Sequence, residues 1–284
     1  MNTLFNPASP GTKRGWMPLL ALMLGLQGCA NFDLLAYSPE RLYPQKIRTI
    51  REMTVRQETT LPVDGQKSGG MEPARDLSLD KIPMKVQRVV ERYDEEVRSR
   101  LIRDFKLAGL PYPSARLALL AFKKERRVEL WGGDATGPMK QIKSYPFTAF
   151  SGELGPKRRQ GDRQIPEGIY RITFLNPNSA YHLSMKLDYP NEFDRAMAEL
   201  DQRQQLGGDI FIHGDSSSIG CIALGNRSIE ELFVLTAWAG MENVQVIVAP
   251  YDLRRNPEIK PLDSVPWTRE LYATIQGSLL PFQQ

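Results

Sequence analysis

The segment around Leu117–Phe122 does most to limit what this chain can fold into. Six apolar residues stop at the charged stretch Lys123–Arg127, and Val128, Leu130 and Trp131 answer from its far side. A short apolar run closed by a turn is a strand pattern, and two in succession predict a β-hairpin with Lys123–Arg127 as its charged turn. Further strands are expected at Ser144–Phe150, Ile169–Leu175, His182–Leu187, Asp209–His213 and Val244–Ala249.

Helices fit around these strands. Val86, Val89, Val90, Tyr93, Val97, Leu101, Ile102 and Phe105 recur at three- and four-residue spacing, with Pro83 suited to a first turn and Gly109–Pro111 to a stop. Ile229, Leu232, Phe233, Leu235, Thr236 and Trp238 suggest a second helix with Ser228 as its N-cap. A short helix within Pro190–Gln205 would align Phe193, Met197 and Leu200. Trp267, Leu271, Tyr272, Ile275 and Leu279 suggest a last one, packing back on the domain or closing over its cleft. The fold class expected is mostly β with peripheral helices (α+β).

The first residues read as an export signal. Lys13 and Arg14 precede the apolar run Met17–Leu26, which is too short for a bilayer span of about 20 residues. Leu26-Gln27-Gly28-Cys29 resembles a bacterial lipobox, which implies cleavage after residue 28, lipidation of Cys29 and, with Ala30 rather than Asp following, an outer-membrane address facing the periplasm. The alternative is an ordinary secretory signal with Cys29 incidental. The chain carries 37 basic and 33 acidic residues; loss of Lys13 and Arg14 with the leader brings these close to balance, which argues against bulk nucleic-acid binding. Residues 58–80, with Pro62, Gly65, Gly69, Gly70 and Pro73, are poor in large apolar side chains and read as a tether, or else as a short extended region packed on the domain. The expected organisation is signal 1–28, lipidated tether 29–80, helix 81–112, main domain 113–251 and tail 252–284.

Two cysteines are present, and lipidation would occupy Cys29, leaving Cys221 as a lone thiol in an oxidising space. The chain has two histidines, and His213 lies eight residues before that thiol. A nucleophilic cysteine needs a base, because a free thiol is mostly protonated at neutral pH. In Ile212-His213-Gly214-Asp215-Ser216-Ser217-Ser218-Ile219-Gly220-Cys221 a strand ends at His213 and a glycine-bracketed polar loop returns to the sulfur. The Gly214 carbonyl, or alternatively Asp215, would orient the imidazole. Gly220 permits the sharp turn, and the backbone N–H groups of Gly220 and Cys221 would face a developing oxyanion. The bland reading is a structural histidine and an inert buried thiol. His182, in an alternating stretch, is expected to be structural.

Gly161-Asp162-x-x-x-Pro166-Glu167-Gly168-x-Tyr170, together with Ile212-His213-Gly214 and Ser218-x-Gly220-Cys221, resembles the L,D-transpeptidase catalytic domain (YkuD-type), closest to its YafK-like branch. Asn176-Pro177-Asn178-Ser179, Tyr189-Pro190-Asn191 and Asp194-Arg195-Ala196 read the same way, and the likeness covers about Leu117 to Tyr251. The resemblance implies a β-sandwich-like, mostly antiparallel catalytic domain preceded by a helix. It implies Cys221 as acylated nucleophile, His213 as base and the Ser218-Ile219-Gly220 loop as oxyanion hole. Lys157, Arg158 and Asp162, with Arg159 beside them, are substrate-groove candidates, the alternative being a solvated charge run. The implied substrate is a peptidoglycan tetrapeptide stem, attacked at its third residue with loss of D-alanine. The thioester is then resolved by an amine, as a crosslink or an attached lipoprotein, or by water. Many relatives have His at the position of Ile219 and Arg at that of Ala223. The alternatives are a hydrolytic member that releases wall-bound lipoprotein or trims stems, and a non-catalytic wall-binding lipoprotein. No cofactor or metal is expected, and membrane contact only through the lipid.

Overall fold

The computed structural model describes residues 82–283. The expected signal, Cys29 and the tether lie outside them. Helix α1 spans Met84–Ala108 and buries Val86, Val90, Val97, Leu101 and Phe105, the stripe expected from the sequence. It ends as a Schellman turn: Gly109 is left-handed, its N–H donates to the Lys106 carbonyl, and the Leu110 N–H donates to that of Phe105.

Eight strands follow, with three helices among and after them. The strands are β1 (Arg116–Phe122), β2 (Arg127–Gly133), β3 (Lys140–Pro146), β4 (Gly168–Ser179), β5 (His182–Leu187), β6 (Phe211–His213), β7 (Ile222–Ala223) and β8 (Val244–Ala249). The helices are α2 (Glu192–Leu200), α3 (Asn226–Ala239) and α4 (Thr268–Ser278). The sheet order is β3-β2-β1-β8-β4-β5-β6-β7. Pairing is antiparallel except for β1 with β8 and β6 with β7. The β1–β2 hairpin forms as expected, and β5 and β8 occupy the expected residues. The strand expected at Ser144–Phe150 instead runs over Lys140–Pro146. It is an edge strand with one buried residue, Tyr145, so its pattern carries little of the period-two signal.

Strand β4 is the hinge of the architecture. Its first residues, Gly168–Arg171, pair with β8, and from Ile172 onward it pairs with β5, with a bulge between Ile172 and Phe174. The sheet therefore turns into a second wing, and one core is shared by both wings. Leu117, Leu119, Val128 and Leu130 from the first meet Leu183, Met185, Ile212 and Ile222 from the second, together with residues of α1 and α3. The sandwich-like, mostly β expectation is met in this form, with α1 preceding the sheet.

The other face of β1 and β8 forms a second core. Ala118, Leu120, Phe122, Ile247 and Ala249 pack there with Trp131, Met197 of α2, and Trp267, Leu271, Tyr272 and Ile275 in and before α4. Strands buried on both faces must be apolar throughout, which explains the unbroken run of β1. The last helix thus packs back on the sheet. α2 opens with a capping box between Asn191 and Asp194. α3 begins at Asn226 behind Gly225, so Ser228 lies inside the helix rather than at its cap.

Lys123, expected in a charged turn, is sealed from solvent. Its ammonium donates to the carbonyls of Gly155 (2.7 Å) and Ile165 (2.9 Å) and pairs with Glu167 Oε1 at 2.9 Å. Glu167 also accepts from the Gly155 N–H (2.7 Å) and the Tyr272 hydroxyl (2.8 Å). Glu167→Gln keeps the shape and removes the counter-charge. It is expected to lower unfolding free energy by about 3–5 kcal/mol in urea titrations, with much of the loss recovered in the double variant with Lys123→Met. Equal stability of the single variant and the parent would show that the pair is dispensable.

Candidate active site

The site forms where β6 and β7 lie side by side. Parallel pairing matches Ile212 with Ile222 and His213 with Ala223, and the Leu224 N–H donates to the His213 carbonyl at 2.9 Å. Ile212 and Ile222 point into the shared core, so by alternation His213 and the sulfur of Cys221, just ahead of β7, belong to the opposite side. The eight-residue separation in sequence collapses to a step of two residues across one strand pair.

His213 is buried, and its Nδ1 lies 2.6 Å from the Gly214 carbonyl oxygen, one of the two acceptors expected for it. The other, Asp215, instead accepts from the Ser216 N–H at 2.7 Å and acts on the ring only through its charge. Gly214 has no room for a side chain: a Cβ would stand 2.7 Å from Asn226 Oδ1 and 2.8 Å from the Tyr181 carbonyl. Asn226 Oδ1 is itself fixed by the Asp215 N–H (2.8 Å), which ties the segment to the start of α3. Burial holds His213 below the ordinary imidazole range, against the opposing pull of the Gly214 carbonyl and Asp215. With Nδ1–H donating to Gly214, the neutral ring keeps Nε2 as an acceptor.

Cys221 is partly buried, and its Sγ lies 3.8 Å from the Asp209 carbonyl. Among the described residues that carbonyl, not the imidazole, is the thiol's recorded acceptor. Burial pushes the thiol above its ordinary value, while the Phe211 backbone and the Lys157 charge pull the other way. The resting pair is therefore neutral thiol and neutral imidazole.

The loop between them is braced by hydroxyls. Ser218 Oγ donates to the Cys221 carbonyl (2.7 Å), accepts from the Gly220 N–H (3.3 Å) and meets Ser151 Oγ at 3.0 Å. The Gly220 N–H, expected to stand free, thus has a long bond to a side chain. Gly220 has φ +126°, and a Cβ there would meet the Gln164 carbonyl at 3.1 Å. Ile219 is 76% exposed, whereas Ala223 is fully buried.

The basic loop before β4 is organised around Asp162. Its carboxylate accepts from Lys157 Nζ at 2.5 Å and from the N–H groups of Arg158 (2.8 Å), Arg159 (2.9 Å) and Gln164 (3.0 Å). These bonds hold Asp162 below the ordinary carboxylate range against desolvation, the largest influence, which pushes upward. Asp162 therefore shapes the loop rather than offering itself to a ligand. Lys157 is buried, and Arg158 pairs with Asp201 at 3.2 Å. His182 pairs with Glu230 at 2.9 Å on α3, the structural placement expected. No group of three His, Cys, Asp or Glu that could hold a metal is found among the described residues, and no described helix is long and apolar enough to cross a membrane.

Tyr181 is the residue that sequence reasoning missed. Its ring lies 4.6 Å from the His213 ring, tilted by 34°, and covers the imidazole while remaining 41% exposed itself. The available signal was an aromatic at the tip of the β4–β5 hairpin, where nothing but function or a long-range contact calls for one.

Residues 118–248 match the family described as "YkuD: L,D-transpeptidase catalytic domain". The curated relative named "Putative L,D-transpeptidase YafK" from Escherichia coli (strain K12) is 38% identical over 136 residues, 46% of this chain and 52% of its own. The chain thus spans about half the length of the curated relatives it matches. Among solved structures, the helical cell shape determining protein Pgp2 from Campylobacter jejuni overlaps with a TM-score of 0.40 at 22% identity, over 56% of this chain and 53% of that one. Bd1075 from Bdellovibrio bacteriovorus overlaps with a TM-score of 0.36 at 20% identity, over 61% and 57%.

If Tyr181 supplies the burial that keeps His213 neutral, Tyr181→Ala re-solvates the ring and its pKa rises. In an NMR titration of the ring protons, with His182→Gln to leave one imidazole, His213 is expected to titrate below the ordinary range in the parent and closer to it in Tyr181→Ala. A midpoint unmoved by the substitution would remove Tyr181 from the site.

Proposed function

From the match of residues 118–248 to the L,D-transpeptidase catalytic-domain family, we propose that this chain is a cysteine acyltransferase of peptidoglycan stem peptides, with Cys221 as nucleophile and His213 as base. One observation carries the reading: a buried, neutral imidazole, fixed at Nδ1 by Gly214, shares one side of a parallel strand pair with a partly accessible thiol.

The thiol turns from the Asp209 carbonyl toward the ring, and Nε2 takes its proton. Sulfur adds to the carbonyl carbon of the third stem residue, and the carbonyl electron pair moves onto oxygen. The N–H groups of Gly220 and Cys221 receive that oxyanion, with Gly220 exchanging its 3.3 Å bond to Ser218 for a charge-assisted one. Collapse breaks the C–N bond, and D-alanine leaves with the proton held by His213. An amine then opens the thioester, forming a crosslink or attaching a lipoprotein, and its proton returns through His213 to sulfur. The chemistry calls for no metal or cofactor.

Hydrolysis is the second reading, favoured by the exposure of Ile219, which leaves the acylated loop open to water. Water in place of the amine would trim stems or release a wall-linked lipoprotein. The proposal places the chain in the periplasm, without a nucleic-acid partner and anchored to the outer membrane through acylated Cys29.

The test is incubation of the full chain with a tetrapeptide stem, with and without an amine acceptor, followed by intact-mass and product analysis. A thioester on Cys221 is expected, with loss of D-alanine. Cys221→Ala abolishes turnover, and His213→Gln lowers it by about 100-fold or more. Parent protein that never acylates, or turnover indifferent to Cys221→Ala, would overturn the reading.

A further inference from the structure

Beside the thiol loop lies a cavity of ≈650 Å³ whose wall is dominated by guanidinium groups, those of Arg158, Arg159 and Arg203, with Gln164 on one side. Arg158 and Arg159 come from the loop that precedes β4, and Arg203 from the segment after α2. The two segments are joined by a bond from the Gln160 N–H to the Gln205 carbonyl (2.8 Å) and by another from Arg203 Nη1 to the Arg158 carbonyl (2.7 Å). This is a built concavity, not a scatter of surface charges.

Its charges do not balance. Asp162 is taken up by Lys157 and three backbone N–H groups. One oxygen of Asp201 serves Arg158 (3.2 Å), Arg203 (2.9 Å) and the Trp267 indole (3.0 Å) at once. Among the described residues Arg159 has no recorded carboxylate, and Arg158 Nε is shielded from water without a hydrogen-bond partner. Four cations, counting Lys157, thus face two carboxylates, of which Asp162 is fully engaged and Asp201 spreads one oxygen over three donors. Arg159, exposed and without a carboxylate partner among the described residues, is the guanidinium left open to an anion from outside.

We infer that this cavity is the anchoring subsite for free carboxylate groups of the peptide acted on at Cys221, with Arg159 and Arg203 as specificity-determining residues. The inference rests on the acyl-transfer reading and deepens it. Planar guanidinium groups suit carboxylates, which they bind through paired N–H···O bonds. The cavity and the thiol loop share a wall: Gln164, which lines the cavity, presents its carbonyl to Gly220 at the position where a Cβ would sit 3.1 Å away. A peptide held there by its carboxylates would reach the sulfur without crossing open solvent. Burial raises the Cys221 thiol, and the Lys157 charge is among the influences that pull it back down.

Binding can be measured apart from turnover. Calorimetric titration of full-length Cys221→Ala protein would use a tetrapeptide stem with free carboxylates and the same peptide with those carboxylates amidated. The free-acid peptide should bind at least tenfold more tightly, and this advantage should shrink at high salt. Arg159→Gln, at an exposed side chain whose loss threatens no packing, should remove about tenfold of it. Arg203→Lys, which keeps the charge but not the fork, should weaken the free-acid peptide and leave the amidated one unchanged. Equal affinity for both peptides, no binding of either, or affinity indifferent to both substitutions would overturn the inference. Acylation of the parent at Cys221 in those circumstances would leave the acyl-transfer reading standing.

Discussion

Lys123 and Glu167 meet at 2.9 Å with both side chains closed to solvent, and three parts of the chain converge there. Lys123 closes β1, and Glu167 stands just before β4. The loop between β3 and β4 supplies Gly155 and Ile165, and α4 supplies Tyr272. The ammonium has three donors and finds three acceptors; burial holds it below the ordinary lysine range, against the opposing pull of Glu167. Such a pair adds little net stability against a hydrophobic alternative, but it tolerates only one arrangement of the segments that meet there. That loop forms one wall of the cavity and touches the thiol turn at Gly220, so its placement is inherited by the site.

The second constraint is the turn of the sheet at β4. Because the strand changes partner from β8 to β5, the two wings share a core, and the last strand pair, β6 and β7, comes to rest with one side on that core and His213 on the other, beneath Tyr181. A three-residue strand and a two-residue strand have little stability of their own. Buried Ile212 and Ile222 hold them from below, and α3 holds them from behind through Asn226. His213 on β6 and Cys221 just ahead of β7 are therefore carried on thin strands stiffened by their neighbours.

Much of this was legible because it is local. The α1 stripe, the hairpin and the buried runs of β5 and β8 follow from periodicity, since each side chain's environment repeats with the element's own geometry. The Gly214 carbonyl was readable as the imidazole's partner because it is the next residue along. What stayed hidden depends on distant partners. Lys123 reads as part of a solvated turn until Glu167, 44 positions later, is known to face it. Asp162 reads as a groove residue until its four donors are seen. Buried Glu231, which joins Arg100 of α1 to Lys143 and Tyr145 of β3, has no local signature either. Tyr181 belongs to the same class, as does the position of β3, whose exposed edge lacks the alternation that would have fixed it.

The resting electrostatics bear on how such a site avoids misuse of its sulfur. A thiolate–imidazolium pair formed in advance would be reactive toward any electrophile that reached it. Here burial disfavours the charged form of both partners, pushing the thiol up and the imidazole down, so the proton stays on sulfur. The Asp209 carbonyl reinforces this, because a carbonyl accepts from a thiol but repels a thiolate. Ionisation then needs something that neither residue provides alone: displacement of the sulfur from that carbonyl and a nearby carbonyl carbon ready to take the electron pair. Under the acyl-transfer proposal a bound peptide would supply both, whereas a transient small electrophile would supply only the second. Under the same proposal, the raised thiol would make activation follow occupancy rather than mark a weak base.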